Sequence, residues 1–266
     1  MIPVEVTRGD GPVVLAMPHT GTHVPGDIFA RLTPLGQTLS DTDWHIDLLY
    51  RGLLPGATTV RATFHRYVID ANRPPSGESL YPGQNTTGLV PLTDFDGEPL
   101  WLTPPTEAEI DARRAAFHAP YHAALAAELA RVRAQHGVAI LYDCHSIRPR
   151  IPFLFEGTLP DFNIGTNSGQ SCAPEIEGAV SRLCQGAAGY TSVVNGRFKG
   201  GWTTRHYGRP EEGVHALQME LAQSTHLAAE ALPFDYDPQK ADRMRAHLRA
   251  ILEALAAAAP DLIGKP

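Results

Sequence analysis

The sequence predicts an α/β fold in which a mainly parallel sheet is covered by helices. The apolar strands "GPVVLAMPHTG" and "VAILYD" are separated by a long helical segment, so strands and helices alternate along the chain. A chain of 266 residues, 43% of them hydrophobic, can bury a sizeable core. We therefore expect residues 1–266 to form a single domain.

The elements follow from hydrophobic periodicity and end signals. After the first strand, "TTVRATFHRYVID" alternates enough to give a strand or a bent pair. Thr106 and Glu109 form a capping-box pattern that starts a helix ending at Gly137, and Pro120 should kink it. The strand "VAILYD" follows directly. The remaining predicted elements are strands at "IPFLFEG", "TSVVNGRF" and "VHALQMEL", and helices near 173–187 and 238–258.

Residues 74–105 are rich in Pro, Gly and Thr and show no sustained period. A loop of this length inside a compact domain is usually functional. We therefore expect this excursion to cover a site.

Composition excludes several classes of partner. The chain has 22 Lys+Arg against 29 Asp+Glu, a formal charge of -7, and no basic run that could follow a phosphate backbone. It contains neither 18 consecutive apolar residues nor a secretory signal at its start. Three irregularly spaced cysteines suit a reducing compartment. We expect a cytoplasmic protein without nucleic-acid or membrane partners, and the sequence indicates no oligomeric state.

Polar clusters follow several predicted strands. They are "PHTGTH", "DANRP", "DCHS" and the residues around Glu220. In an open α/β sheet, ligands bind beyond the carboxyl ends of the strands, so we expect these clusters to converge on one site.

Two histidines in these clusters are candidate metal ligands. His19 follows the first strand and His145 follows the central one. Two imidazoles and a carboxylate suit a catalytic divalent metal with one position left for water. Zinc is our first choice, although cobalt, manganese or iron also suit these ligands. The alternative is a pair of hydrogen-bonded loop histidines without a metal.

The segment "LSDTDWHIDLLY" supplies candidates for the third ligand, just before a predicted helix. Asp43 is our first choice, and Asp41 and Asp47 are the alternatives. Each of these acids has a simpler explanation as well, because Ser40, Asp41 or Asp43 could be the N-cap of the helix.

Cationic side chains lie near several strand ends despite the acidic average. Arg73 can bind a carboxylate through two parallel hydrogen bonds, and Asn72 can add a directed one. The alternative for Arg73 is an ion pair with Asp70. Comparable positions hold Arg148, Arg197, Lys199 and Arg205. We therefore predict a small anionic substrate.

Glu220 lies inside the apolar strand "HALQMEL", where an unpaired carboxylate is costly. Its side chain either points to solvent or serves as a base for water activated by a metal. We therefore include it among the catalytic candidates.

Seven segments, taken in order, resemble the N-formylglutamate amidohydrolase family. They are "MPHTG", "SDTDWHIDLLY", "FHRYVIDANRP", "YPGQNTTGL", "DCHSIRPRIPFLFEGTLPDFNIGT", "NGRFKGGWTTRHYG" and "ALQMELAQSTH". The resemblance spans nearly the whole chain and implies hydrolysis of N-formyl-L-glutamate to formate and L-glutamate, at the end of histidine degradation. The family is similar to zinc carboxypeptidases and aspartoacylase, which implies one three-layer α/β/α domain with a mixed sheet.

This resemblance also implies roles for individual residues. "DCHS" resembles the segment that supplies the last zinc ligand in the wider superfamily, which maps that role onto His145. "DANR" resembles the segment that binds the substrate carboxylate, which implicates Asn72 and Arg73. "LQMEL" resembles the strand with the catalytic glutamate, which makes Glu220 the general base and acid.

One departure affects the metal site. In the superfamily the first two ligands come from an H-x-x-E motif, whereas Thr22 stands three residues after His19 here. A carboxylate from elsewhere must complete the site, and we assign this role to Asp43.

These roles predict a hydrolytic mechanism. A metal lowers the pKa of its water to about 7, and Glu220 accepts the proton and passes it to the departing nitrogen. A nearby arginine, for which Arg148 is our candidate, would stabilise the oxyanion. Arg73 and Arg148 are also the first choices to anchor the two substrate carboxylates. The alternatives for this role are Arg197, Lys199 and Arg205.

Three other functions compete with this one. A related enzyme could act on another N-acyl acidic amino acid, because small differences in pocket shape discriminate weakly. Cys144 could act as a nucleophile, although adjacent residues of a strand point to opposite faces and Cys144 is therefore poorly placed to pair with His145. A protein with the same residues could also bind a dicarboxylate without catalysis.

Overall fold

The computed structural model describes residues 2–80 and 83–264. Within these residues the chain forms one seven-stranded sheet. The strands, in chain order, are β1 (Val4–Thr7), β2 (Val13–Met17), β3 (Thr58–Ala62), β4 (Ala139–Ile147), β5 (Phe162–Gly165), β6 (Ser192–Val194) and β7 (Val214–Ala222).

The strand order in the sheet is β1-β3-β2-β4-β7-β5-β6. The four central strands β3, β2, β4 and β7 are parallel to one another. Two antiparallel pairs, β1 with β3 and β5 with β7, make the sheet mixed. The predicted α/β class with a mixed, mainly parallel sheet is confirmed.

Helices lie on both faces of the sheet. In chain order they are α1 (Gly26–Phe29), α2 (Ile46–Tyr50), α3 (Glu107–Arg113), α4 (Ala119–His136), α5 (Pro174–Gln185), α6 (Trp202–Tyr207) and α7 (Pro238–Ala258). Alternate residues of β2 enter two different cores, as expected for a strand buried on both sides. Leu15 packs in the core formed with α2, α5 and α7, whereas Val14 packs in the core formed with α1 and α4. The result is a three-layer α/β/α arrangement.

The helix predicted from the capping box at Thr106 is present. Thr106 Oγ1 accepts from Glu109 N, and Glu109 Oε2 accepts from Thr106 N. Pro120 does not simply kink this helix. A π-helical turn, Arg114–His118, stands immediately before the first residues of α4, so the helical segment changes type where the proline enters it.

The strand predicted at "IPFLFEG" is wrong. The backbone N–H groups of Leu154 and Phe155 both donate to Ile151 O, which closes a local turn in place of a strand ladder. The apolar side chains are explained by a small core of their own, where Ile151 and Phe155 pack with Phe95 and Ile147.

The strand predicted at "TTVRATFHRYVID" is shorter than expected. β3 ends at Ala62, and the next residues turn, with His65 Nδ1 accepting from Tyr67 N. The "DANR" segment therefore does not lie directly at the end of a strand, because Asn72 and Arg73 follow in later turns.

The central strand is longer than expected. β4 continues through Asp143 and His145 to Ile147, because β7 pairs with it along its whole length. The "DCHS" side chains thus project from the strand itself, in its carboxyl-terminal half. The short elements β1, α1, β5 and α6 were not predicted from the sequence.

The excursion at 74–105 contains no helix or strand in its described part. Isolated bridges join Leu32 to Trp101 and Thr93 to Pro99. Residues 81 and 82, which begin the "YPGQNTTGL" segment, lie outside the described residues. The described remainder contributes Asn85, Thr86 and Thr87 to the cavity considered below.

Two further expectations concern the chain as a whole. Among the described residues, no helix combines the length and apolar character needed to cross a membrane. Cys144, Cys172 and Cys184 are all buried free thiols. The assignment of residues 1–266 to a single domain stays a prediction.

A pair of glycine substitutions tests how tightly the loop after β2 is fixed. A Cβ on Gly21 would lie 2.5 Å from Phe64 O and even closer to Thr63 C, which are backbone atoms, whereas Gly26 has no heavy atom within 4 Å. We expect Gly21→Ala to lower the free energy of unfolding by about 1–3 kcal/mol. Gly26→Ala should leave it nearly unchanged. Equal midpoints in urea for the two variants would contradict this close packing.

Candidate active site

The site lies at the carboxyl-terminal ends of the central strands, on the face covered by α4. The register of β4 and β7 places His145 beside Glu220 and Asp143 beside Gln218. All four side chains share one face of the sheet, because they alternate with residues such as Cys144 that pack in the opposite core. His19 follows β2, the other neighbour of β4.

Three buried side chains, His19, Asp43 and His145, meet at this point. Asp43 Oδ2 lies 3.0 Å from His145 Nδ1 and 3.7 Å from His19 Nδ1. Backbone contacts fix the arrangement, since Asp43 N donates to His19 O at 3.1 Å and Ser146 N donates to Asp43 Oδ2 at 3.2 Å. The carboxylate therefore faces the same nitrogen atom of both imidazoles.

The other nitrogen of each imidazole contacts a second buried carboxylate. His19 Nε2 lies 2.7 Å from Asp70 Oδ1, and His145 Nε2 lies 3.1 Å from Asp143 Oδ2. A proton on each Nε2 would donate to these carboxylates and leave the Nδ1 lone pairs directed at the centre. Imidazoles that bind metals are usually oriented by a partner of this kind.

The electrostatics of the centre favour ionised carboxylates. Burial alone would raise the pKa of Asp43, but hydrogen bonds with His145 and His19 hold it below its usual value. Burial likewise opposes ionisation of Asp70, and the charges of His19 and Arg66 hold its pKa well below the usual range. Burial would lower the pKa of His145, yet Asp143 and Asp43 raise it well above the ordinary histidine value. The centre thus attracts positive charge.

These residues fit a divalent metal ion. One donor atom from each of His19, Asp43 and His145 lies within 4.8 Å of the others, and all three side chains are buried. Three buried carboxylates, Asp43, Asp70 and Asp143, meet here, and the guanidinium of Arg66 pairs with two of them. A divalent cation would offset the remaining negative charge. Nitrogen and oxygen donors of this kind suit zinc.

The other candidates from "LSDTDWHIDLLY" lie elsewhere. Asp41 Oδ2 accepts from Phe95 N at 3.0 Å, and Asp47 pairs with Arg51 at 3.4 Å. None of the acids caps α2, because its N-cap residue is His45 in a left-handed conformation. Only Asp43 of this segment belongs to the group of possible ligands.

Glu220 is buried beside this centre. Only 7% of the residue is exposed, and Gln218 Nε2 donates to its Oε2 at 3.1 Å. Burial raises the pKa of Glu220 to about 8, with the charge of His145 opposing the shift. A carboxyl group with a pKa near neutral pH can both accept and donate a proton.

The backbone around Asn72 is held by two imidazoles from the adjoining helix. His122 Nε2 lies 2.8 Å from Ala71 O, and His118 Nε2 lies 2.9 Å from Arg73 O, so each ring can donate to a carbonyl that flanks Asn72. His118 belongs to the π-helical turn and His122 to α4. The π-helical turn thus lies where the helical segment contacts the backbone of the site.

The side chain of Asn72 is equally constrained. Its Oδ1 accepts from Thr203 N at 2.9 Å. A Cβ on Gly201 would overlap Asn72 Nδ2, so a glycine is needed there. Gly201 N also donates to Gln218 Oε1 at 2.7 Å.

Arg66 is a cation that the sequence analysis missed. Its Nη2 lies 2.9 Å from Asp70 Oδ2 and its Nη1 lies 3.7 Å from Asp43 Oδ1. The guanidinium also stands over the ring of Phe95, 4.9 Å from the ring centre. The sequence predicts a strand over "HRYVID". The alternation of side chains along a strand does not by itself assign Arg66 to a site.

A cavity opens onto these groups. Seven of the predicted site residues line it, namely His19, Asp43, Asn72, Arg73, His145, Arg197 and Glu220. Its polar lining also includes Arg66, Asn85, Thr86, Thr87, Ser146 and Gln218. The side chain of Arg73 reaches the wall while Nε donates to Thr87 O at 2.9 Å.

Three predicted cationic residues lie outside this cavity. Arg148 does not line it in the described part of the chain, and its Nη2 pairs with Asp96 Oδ2 at 2.7 Å near the surface. Arg148 is the first residue after β4, where the chain leaves the sheet. Lys199 and Arg205 line a neighbouring cavity, and Arg197 lines both.

Comparison with known proteins gives one family. Residues 11–227 match the N-formylglutamate amidohydrolase family. The chain is 47% identical over 253 residues to an N-formylglutamate deformylase of Pseudomonas aeruginosa, and 45% identical over 255 residues to one of Pseudomonas putida. Each alignment covers 94% of both proteins.

Solved structures have the same fold. The crystal structure of an N-formylglutamate amidohydrolase from Ralstonia eutropha superposes with a TM-score of 0.82 at 26% identity, covering 98% of this chain and 99% of the other. A gene product of Agrobacterium tumefaciens, at 20% identity, shares the fold with a TM-score of 0.73 and covers 97% and 96% of the two chains. The extent of the sequence matches settles the relationship, and the chain belongs to the N-formylglutamate amidohydrolase family.

Proposed function

We propose that the protein hydrolyses N-formyl-L-glutamate to formate and L-glutamate. The relatives named N-formylglutamate deformylase support this substrate. The observation that carries the proposal is a buried carboxylate, Glu220, next to two histidines and an aspartate at the floor of a cavity with arginines in its walls. A place at the end of histidine degradation in the cytoplasm is part of the same proposal and rests on the family resemblance.

A divalent metal, with zinc as the first choice, would be held by His19, Asp43 and His145. When bound, the ion supplies Lewis acidity that polarises the formyl carbonyl and makes a water molecule more acidic. Asp70 and Asp143 keep the two imidazoles oriented through their Nε2 atoms. The protein thus contributes a preorganised set of donors, so little reorganisation is needed during the reaction.

Glu220 is the proposed proton carrier. Its carboxylate takes a proton from the attacking water and then delivers it to the glutamate nitrogen as the C–N bond breaks. Gln218 holds Oε2 through a hydrogen bond, which limits rotation of the carboxyl group. The buried position raises the proton affinity of Glu220, as a group that must accept and release the same proton requires.

The cationic wall is proposed to bind the carboxylates of the substrate. Arg73, Asn72 and Arg197 line the cavity. Arg66 adds positive charge close to the centre, although Asp70 and Asp43 already balance it. Arg148 is replaced in this role, because its guanidinium pairs with Asp96 outside the cavity.

Formate release is the direct test. We expect purified protein to release formate from N-formyl-L-glutamate, to lose the activity after chelation, and to recover it with zinc at about one ion per chain. N-acetyl-aspartate and N-succinyl-glutamate should react much more slowly. Turnover by metal-free protein would refute the metal proposal. Preference for another acyl substrate would refute the formyl specificity.

Glu220→Gln tests the proton carrier. Because the amide cannot accept the proton, we expect kcat to fall about 10²–10⁴-fold while KM and metal content stay near the wild-type values. Glu212→Gln, an exposed change shortly before β7, is the matched control. A Glu220→Gln enzyme with more than a tenth of the wild-type kcat would exclude this role.

Arg73→Ala and Arg148→Ala form a second matched pair. Loss of one charge-assisted anchor should raise KM roughly tenfold to a hundredfold for Arg73→Ala. Arg148→Ala should change KM by less than about threefold, since surface ion pairs contribute little. Steady-state kinetics checks this, with thermal melts to confirm folding. The reverse order of effects would return Arg148 to the binding site.

A further inference from the structure

A second cavity adjoins the catalytic one. It is open to solvent. Its lining includes three cationic side chains and several polar ones, namely Gln84, Asn167, Ser168, Arg197, Lys199 and Arg205. No Asp or Glu is found among its described lining residues. The local charge is therefore opposite to the formal charge of -7 on the whole chain.

Arg197 connects the two cavities. It lines both of them, and its side chain is tied to two loops, with Nε donating to Leu154 O at 3.3 Å and Nη2 donating to Asn85 O at 3.2 Å. Leu154 and Asn85 themselves line the catalytic cavity. An anion in the second cavity would therefore stand next to the wall of the first.

Hydrogen bonds hold the residues that line the second cavity. Arg205 Nε donates to Gly200 O at 2.8 Å, which limits the positions of its guanidinium. Asn167 and Ser168 have left-handed backbone, with φ of 49° and 58°. Asn167 N donates to Lys199 O at 2.6 Å, which joins this turn to the cationic segment. Amide and hydroxyl groups beside three cations suit a carboxylate.

A cationic site at this position would attract an anionic substrate. A substrate with two carboxylates is repelled by an acidic protein at long range, whereas a cationic mouth raises its local concentration and its association rate. The effect acts over about 10 Å at 0.1 M salt and weakens as salt is added. The position beside the catalytic cavity places the attraction where it accelerates substrate capture.

We propose that this second cavity is an outer anion site, which binds a carboxylate of the substrate before the substrate enters the catalytic cavity. The proposal rests on the proposed function, since it assumes a substrate with two negative charges. Lys199 and Arg205 supply the charge of the outer site, and Arg197 passes the anion between the two cavities.

A graded charge series at Lys199 tests capture. The side chain is exposed, so Lys199→Gln and Lys199→Glu should fold. At low salt we expect kcat/KM to fall about threefold and tenfold respectively with kcat unchanged, and the differences should vanish at high salt. Arg249→Gln and Arg249→Glu make the same charge changes on an exposed position of α7 and should have little effect.

Other kinetic outcomes would overturn the proposal. Equal effects at Lys199 and Arg249 would show that only net charge matters. A fall in kcat that persists at high salt would place Lys199 in the chemical step. A change confined to inhibition by L-glutamate would assign the cavity to the product.

A binding experiment separates this proposal from the proposed function, because it needs no turnover. Titration of the protein with glutarate, a dicarboxylate without a formyl group, should show two binding events per chain. The weaker, salt-sensitive event should disappear in Lys199→Glu and remain in Arg249→Glu. A single event that is unchanged in Lys199→Glu would refute the outer site, whether or not the protein hydrolyses N-formyl-L-glutamate.

Discussion

The site depends on the need to pair buried charge. Asp43, Asp70 and Asp143 are at most 1% exposed, and an isolated carboxylate in such a position is very costly. Two imidazoles and Arg66 surround these carboxylates, and most contacts in the group join elements distant in the sequence. The same network that makes the buried charges tolerable also sets the directions of the imidazole lone pairs. One set of contacts therefore stabilises the buried charges and also orients the imidazoles for chemistry.

The more distant parts of the fold support this network by restraining backbone. The π-helical turn and α4 hold the carbonyls beside Asn72 through His118 and His122, while the amino end of α6 holds its side chain. Gly201 permits the close approach that this requires. Helices on the sheet face thus do more than cover the core, since they fix the geometry of a loop that has no ladder of its own.

The sequence alone reveals site residues that differ in polarity from their neighbours in the chain. His145 and Glu220 interrupt apolar strands, and His19 follows one, so each of them is conspicuous among its neighbours in the chain. Arg66 is not, because its importance comes from contacts with Asp70 and Asp43 rather than from its neighbours in the sequence. Arg148 also follows a strand end, yet its guanidinium pairs with Asp96 outside the lining of the cavity, since nearness to a strand end does not fix the direction in which the following turn leaves. β5 was missed because four residues carry little periodicity, and the antiparallel pairing with β7 defines it.

The alternation along β4 and β7 has a consequence for how this protein can change. Nine consecutive residues of β4 pair with β7, and within them His145 pairs with Glu220 while Cys144 pairs with Met219 in the opposite core. A shift of one residue in β4 would send the imidazole of His145 into the core and the thiol of Cys144 into the cavity, and a shift of one residue in β7 would exchange Glu220 and Met219 in the same way. Insertions and deletions can therefore accumulate in the surface loops but not within these two strands. Within the strands, the sequence can change only by substitution.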